Sequence, residues 1–158
     1  MNLINVGKIV NTFGIKGELK IVSRFQYASK VFKVGNNIYL NGSKFNITGF
    51  RFHKNNYLIE LNGIKDINDV EKYIGLDVYF GKAELNLSND EYIISDLLNF
   101  KVIENEQEIG IITDYDDNKI NPLIKVNNKF YIPLKGSFIK SIDLEKGVII
   151  TVNIKNIW

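Results

Sequence analysis

The chain of 158 residues has no cysteine. Disulfides and thiolate metal sites are therefore excluded. Histidine is almost as scarce, with His53 alone. A lone histidine at a strand end, with no serine or cysteine motif around it, fits a surface or packing residue better than a catalytic base. Arginine is limited to Arg24 and Arg51, and proline to Pro122 and Pro133. No window approaches the ~18 apolar residues of a membrane-crossing helix, and the N-terminus shows no signal-peptide run. A cytoplasmic protein with no membrane partner is expected. Walker, dinucleotide and His/Glu metal spacings are missing. An EF-hand beginning at Asp114 would need glycine and a carboxylate where Lys119 and Lys125 stand, so Asp114–Asn118 reads as a solvated acidic turn. No catalytic residue, metal site or cofactor is implied.

What is present is apolar and turn-forming. Hydrophobic residues make up 45% of the chain, ample for a packed core. Asn, Ile and Lys are abundant, a bias that fits A/T-rich coding better than a functional demand. The net charge is only +2. Its distribution is uneven: residues 1–59 hold nine Lys/Arg against Glu18 alone, a net of +8. Residues 60–158 hold eleven basic and seventeen acidic groups, a net of −6. Such asymmetry suits one half to a polyanion and the other to a basic partner. A merely dipolar protein is the alternative.

The most informative stretch is Val6 to Val22. Val6–Val10 reads as one strand and Glu18–Val22 as a second, alternating one. Asn11, Thr12, Gly14 and Gly17 lie between them. Glycines three apart permit positive φ, so the loop is shaped rather than slack. Lys8, Lys16 and Lys20 sit in or beside it, and Arg24 follows. Exposed backbone N–H groups among ammonium groups suit a phosphate-rich ligand. The same pattern also fits an ordinary barrel-corner hairpin with solvated lysines.

Further strands are expected at 38–40, 44–53, 57–61 and 77–80, with Asn41-Gly42 as a hairpin turn. Alternation places Phe45, Ile47, Gly49 and Arg51 on one face of the long strand, and Asn46, Thr48, Phe50 and Phe52 on the other. Gly49 marks a bulge or bend. One short helix opens at Asp66 as N-cap, shows an apolar face of Ile67, Val70 and Ile74, and ends at Gly75. Residues 81–91 lack any period and read as a linker. The second half predicts strands at 100–104, 108–114, 123–126, 129–133, 139–143 and 147–152. The fold class is all-β: two small barrels, residues 1–85 and 86–158, with one short helix in the first.

Three ordered stretches carry a family resemblance. Gly7 to Lys20 resembles the N-terminal signature of the ribosome maturation factor RimM family. Glu91-Tyr92-Ile93-Ile94-Ser95-Asp96-Leu97-Leu98 resembles its domain junction. Tyr131-Ile132-Pro133-Leu134 with Ile139–Leu144 resembles its C-terminal half. The resemblance implies a RimM-type barrel followed by a PRC-type barrel. It implies a non-enzymatic assembly factor for the small ribosomal subunit; a monomer is expected. The implied partners are ribosomal protein S-nineteen and 16S rRNA in the head of the immature subunit.

On that basis Lys8, Thr12, Lys16, Lys20 and Arg24 are candidate rRNA contacts. Tyr92, Asp96, Leu97 and Leu98 are candidate protein contacts. Gly14, Gly17 and Pro133 are structural. Three positions depart from the family pattern. Ile93 stands where a second aromatic is usual, Asn99 where glycine is preferred, and Pro122 where aspartate is usual. Two rivals remain: a two-barrel RNA- or protein-binding adaptor outside ribosome assembly, and an enzyme whose site has no visible signature.

Overall fold

The structure, a computed structural model, describes residues 2–14, 17–118 and 120–158. The chain divides into two compact units, residues 1–86 and 87–158.

The first unit is built on strands β1 (Leu3–Phe13), β2 (Glu18–Val22), β3 (Asn37–Leu40), β4 (Ser43–His53), β5 (Asn56–Leu61) and β6 (Asp77–Gly81). They close into a barrel in the order β1-β2-β5-β4-β3-β6. Alternation fixes the inside: Leu19 and Ile21, Ile38 and Leu40, Ile59 and Leu61, and Val78 and Phe80 are all buried. β1 serves two neighbours. Leu3–Lys8 pairs with β6 and Lys8–Phe13 with β2, with register shifts at Asn5/Gly7 and Ile9/Asn11. The second shift bends the strand as it changes partner. A Cβ on Gly7 would stand 2.9 Å from the Val22 carbonyl oxygen, so this crowded corner requires glycine.

Two short helices accompany the barrel. α1 (Ala28–Val31) is a single turn, too short for a sequence period to reveal it. α2 (Ile67–Val70) begins where Asp66 Oδ1 accepts the N–H groups of Asn68 and Asp69 at 2.8 and 3.2 Å. That is the capping geometry expected of aspartate. A 3-10 turn, Glu71–Tyr73, follows, and Gly75 adopts φ +93°. The tighter turn breaks the helical period, so Val70 is fully buried while Ile74 is 41% exposed. Ile74 does not belong to the buried face that its spacing suggests.

The second unit contains β7 (Lys101–Glu104), β8 (Gln107–Asp116), β9 (Leu123–Val126), β10 (Phe130–Pro133), β11 (Ile139–Asp143) and β12 (Val148–Thr151). They form a six-stranded sheet in the order β10-β9-β8-β7-β12-β11, with β12 parallel to β7. Pro133 ends β10, an end strand of this order, where a missing N–H costs no ladder bond. Ile94, Leu97, Val102, Ile112, Ile124, Val126, Ile132, Ile149 and Ile154 form the core. The buried Thr151 hydroxyl donates to Glu104 Oε1 at 3.0 Å, and the Ile154 N–H donates to the same oxygen at 3.1 Å.

The asparagines have a structural use. Of the ten described non-glycine residues with positive φ, eight are Asn. The turn pairs Asn41-Gly42, Lys54-Asn55, Asn105-Glu106 and Asn127-Asn128 have both φ angles positive; the first three are complete two-residue hairpin loops, and Lys129 extends the fourth to three residues. Such turns match the twist of the strands they join, and asparagine tolerates their backbone better than most residues. Coding bias alone therefore does not account for where the asparagines stand.

Candidate functional site

In the first unit, β1 and β2 position the basic candidates. Lys8 faces Val22 across the ladder, and Lys20 faces Asn11. Lys20 and Val22 share a face by alternation, so Lys8 and Lys20 lie on one surface of the hairpin. Lys8 is exposed and Lys20 half-buried. Lys8 also stands opposite Asp77 of β6, an acid that moderates its field. Thr12 faces the fully buried Leu19 and so belongs to the opposite, inward surface; it is not grouped with the lysines. Arg24 is exposed, two residues beyond β2. Lys16 lies outside the described residues.

The loop glycines differ in their surroundings. Gly14 has φ +69°, and a Cβ there would have nothing within 4 Å. Gly17 has φ +83°, and its Cβ would meet Asp66 N at 3.1 Å. The loop thus lies against the start of α2 through Gly17. Both angles fall in the left-handed region that glycine adopts freely.

Two features of this unit are not legible in the sequence. The first is a guanidinium fork. Arg51 Nε and Nη2 donate to the two carboxylate oxygens of Glu18, each at 3.0 Å. The hydrogen bonds to Glu18 raise the Arg51 pKa further above its ordinary value. Arg51 also lies 5.0 Å from the Phe13 ring centroid, and His53 packs against the same ring at 5.4 Å. The histidine is held in an aromatic contact beside a salt bridge.

The second is an aromatic face. The register shift between Ile47 and Gly49 places Ile47 opposite Leu61, Phe50 opposite Ile59 and Phe52 opposite Tyr57. Ile47, Phe50 and Phe52 therefore share one face, contrary to the uninterrupted alternation expected for β4. The extra residue at the bulge resets the parity. The Tyr57 ring contacts Phe32 at 4.7 Å, Phe52 at 5.0 Å and Phe50 at 5.9 Å. Phe32 is buried, yet Phe50 and Phe52 are 41% and 56% exposed.

In the second unit, the junction candidates separate into core and surface. A 3-10 turn, Ile94–Leu97, brings residues three apart onto the same side. Ile94 and Leu97 accordingly enter the core, and Leu97 is fully buried. Leu97 is thereby corrected from contact residue to core residue. Leu98, the next residue, is 36% exposed. Asp96 accepts the Ile93 N–H at 3.1 Å and so fixes the turn. Tyr92 is half-buried against the core, and burial raises its phenol pKa above the ordinary 10.0. Asn99 has φ +71°, the conformation for which glycine is otherwise favoured. The loop before β9 is closed by side chains: Asn118 Nδ2 donates to the Asn121 carbonyl, and the Asn121 N–H donates to Asn118 Oδ1, both at 2.7 Å. The Pro122 carbonyl accepts the Leu134 N–H at 2.9 Å. Pro122 thus takes part as an acceptor, the one backbone role it retains.

Among the described residues, no group of three or more His, Cys, Asp or Glu is placed to hold a metal ion. No helix among them is long and apolar enough to cross a membrane.

Comparison with known proteins accounts for both units. A family model described as the RimM N-terminal domain matches residues 4–85, and one described as the RimM PRC barrel domain matches residues 94–156. The ribosome maturation factor RimM of Exiguobacterium sibiricum is 35% identical over 154 residues, covering 92% of this chain and 91% of that protein. That of Ligilactobacillus salivarius is 36% identical over 161 residues, covering 95% of each. The solution structure of the N-terminal domain of RimM from Thermus thermophilus is 22% identical, covers 54% of this chain and 95% of that one, and gives a TM-score of 0.47. The two domain matches and the similarity to the two full-length relatives establish that the chain belongs to the RimM family of ribosome maturation factors.

Proposed function

We propose that this protein is a non-catalytic assembly factor for the small ribosomal subunit, acting in the cytoplasm as a monomer. Its ligands are 16S rRNA and ribosomal protein S-nineteen in the head of the immature particle. The observation that carries this reading is the match of both RimM domains, in order, along the chain. The charge distribution supports a division of labour. The first unit's Lys8, Lys20 and Arg24 offer phosphate contacts, and Lys16 joins them by sequence. Residues 86–158 carry eight basic and eleven acidic groups, a net of −3, which complements a basic ribosomal protein.

Charge steers encounter but does not make a specific interface. Leu98 and the exposed part of Tyr92 supply apolar contact, and Asp96 holds the turn between them. Assembly is then assisted by differential binding: a factor that binds one partly folded rRNA–protein state more tightly raises its population. No covalent step is required. Titrating the full chain with purified S-nineteen tests the protein-binding half. Saturable binding that weakens on Leu98→Ala, with the melting temperature retained, supports it. No binding at any salt concentration removes S-nineteen as the partner.

A further inference from the structure

The lysine-bearing hairpin explains attraction to phosphate but leaves the aromatic face of the same unit unused. Phe50, Phe52 and Tyr57 lie together, with Phe32 packed against Tyr57 at 4.7 Å. Two of the rings are exposed by 41% and 56%, unusual for phenylalanine on the face that also carries a barrel's core. The bulge at Ile47/Gly49 turns them onto that face, and the long β4 carries them toward its end at His53.

The surroundings limit the occupant. Residues 19–59 contain no acid, and of their seven Lys/Arg only Lys20 and Arg51 pair across to Leu58, on the face away from the rings. The flanking acids point elsewhere. Glu18 precedes Leu19 and is engaged by Arg51, and Glu60 follows Ile59; Leu19 and Ile59 are buried partners on the inner face, so their acidic neighbours lie on the other. Lys54 forms the hairpin tip between Phe52 and Tyr57, and Lys33 follows Phe32 directly. A partner for this face must be polyanionic and also offer flat apolar surfaces. An unpaired nucleic-acid strand meets both demands, because each base has a π-face and each linkage a charge. A duplex hides those faces within its stack.

We propose that Phe50, Phe52 and Tyr57 form a stacking platform for unpaired RNA bases, with the neighbouring lysines holding the phosphates. The proposal rests on the reading that the protein's nucleic-acid partner is rRNA, and it assigns a single-stranded segment to this face.

The test uses the full chain and fluorescence anisotropy with three labelled probes: a mixed-sequence single-stranded RNA, its blunt duplex, and an abasic strand of equal length. The wild type is expected to bind the single strand about tenfold more tightly than the abasic strand, a difference of about 1.4 kcal/mol, because the abasic strand has no bases to stack. Phe50→Ala/Phe52→Ala should erase that preference while leaving weak, salt-sensitive binding to all three probes. Phe52→Leu keeps an apolar side chain but removes the ring, so it guards against loss through unfolding. It should lose affinity for the single strand with its thermal transition unchanged, and Phe52→Tyr should restore it.

Wild-type affinity of Phe52→Leu for the single strand would overturn the platform, as would equal binding of single-stranded and abasic probes. Co-sedimentation with small subunits, run on the same variants, separates the two readings. Particle binding that persists with unchanged probe affinity in Phe52→Leu rejects the platform and retains the assembly reading. Loss of the base preference in a protein whose wild type binds no particle retains the platform and rejects the assembly reading. Particle binding that survives ribonuclease yet falls in Phe52→Leu assigns the face to a protein and overturns the proposal.

Discussion

Gly17→Ala and Gly14→Ala make a matched pair of perturbations. Each puts a Cβ on a residue with positive φ, +83° and +69° respectively. That conformation costs an alanine on the order of 1 kcal/mol relative to glycine. At Gly14 no further cost arises, because nothing lies within 4 Å of the new atom. At Gly17 the Cβ would sit 3.1 Å from Asp66 N, 3.2 Å from Asp66 O and 3.3 Å from Lys65 C. All three are backbone atoms and cannot rotate away. Relief requires the residues that open α2 to shift. Asp66 is also the cap whose carboxylate accepts the Asn68 and Asp69 N–H groups. Losing a cap of this kind costs about 1 kcal/mol. Gly17→Ala should therefore cost about 2–3 kcal/mol and Gly14→Ala about 1 kcal/mol. Urea titration followed by far-UV circular dichroism measures both. Equal losses, or a larger loss at Gly14, would refute the close approach of this loop to α2.

Other outcomes follow from the same geometry. Lys8→Gln with Lys20→Gln should reduce the slope of log affinity against log salt by about 1 for each lysine–phosphate pair removed, with the barrel still folded; binding measured at several salt concentrations checks this. Leu97→Ala should lower stability by roughly 2–5 kcal/mol as a core deletion, whereas Leu98→Ala should stay within about 1 kcal/mol and act on partner binding instead; denaturant melts and titrations on both variants separate the two. Burial raises the Tyr92 pKa above 10.0, so the folded state keeps this proton at pH values where the unfolded state has lost it. The unfolded state then binds fewer protons, and stability falls as pH rises from 10.0 through the folded value. Tyr92→Phe should show a shallower decline over that window in thermal melts.

Much of the architecture is readable because it is written in local patterns. Glu18–Val22 alternates cleanly and forms β2 at those bounds. Asn41-Gly42 is a turn because both residues accept positive φ. Asp66 announces α2 through its capping chemistry. What local patterns cannot carry is set by pairing across distance. Arg51 and Glu18 are separated by thirty-three positions, and only the β2-β5-β4 neighbourhood brings them together. The aromatic face is hidden for a related reason. Gly49 signals a bulge, but the shift it produces exchanges the faces of every later residue in β4, and alternation counted through it places Phe50 opposite Ile47. At the junction, the sequence groups Leu97 with Leu98, while the three-residue period of a 3-10 turn buries one and exposes the other. Each miss comes from one inserted residue or one tightened turn, small in sequence and decisive for which side chains meet solvent.

Sucrose-gradient fractionation of a cell extract, with the full chain detected in every fraction, tests the assembly role most directly. The protein is expected to travel with free small subunits and their precursors, to be depleted from complete ribosomes, and to leave the particles as salt is raised. Protein that remains at the top of the gradient, or that distributes equally between free subunits and complete ribosomes, would contradict that role.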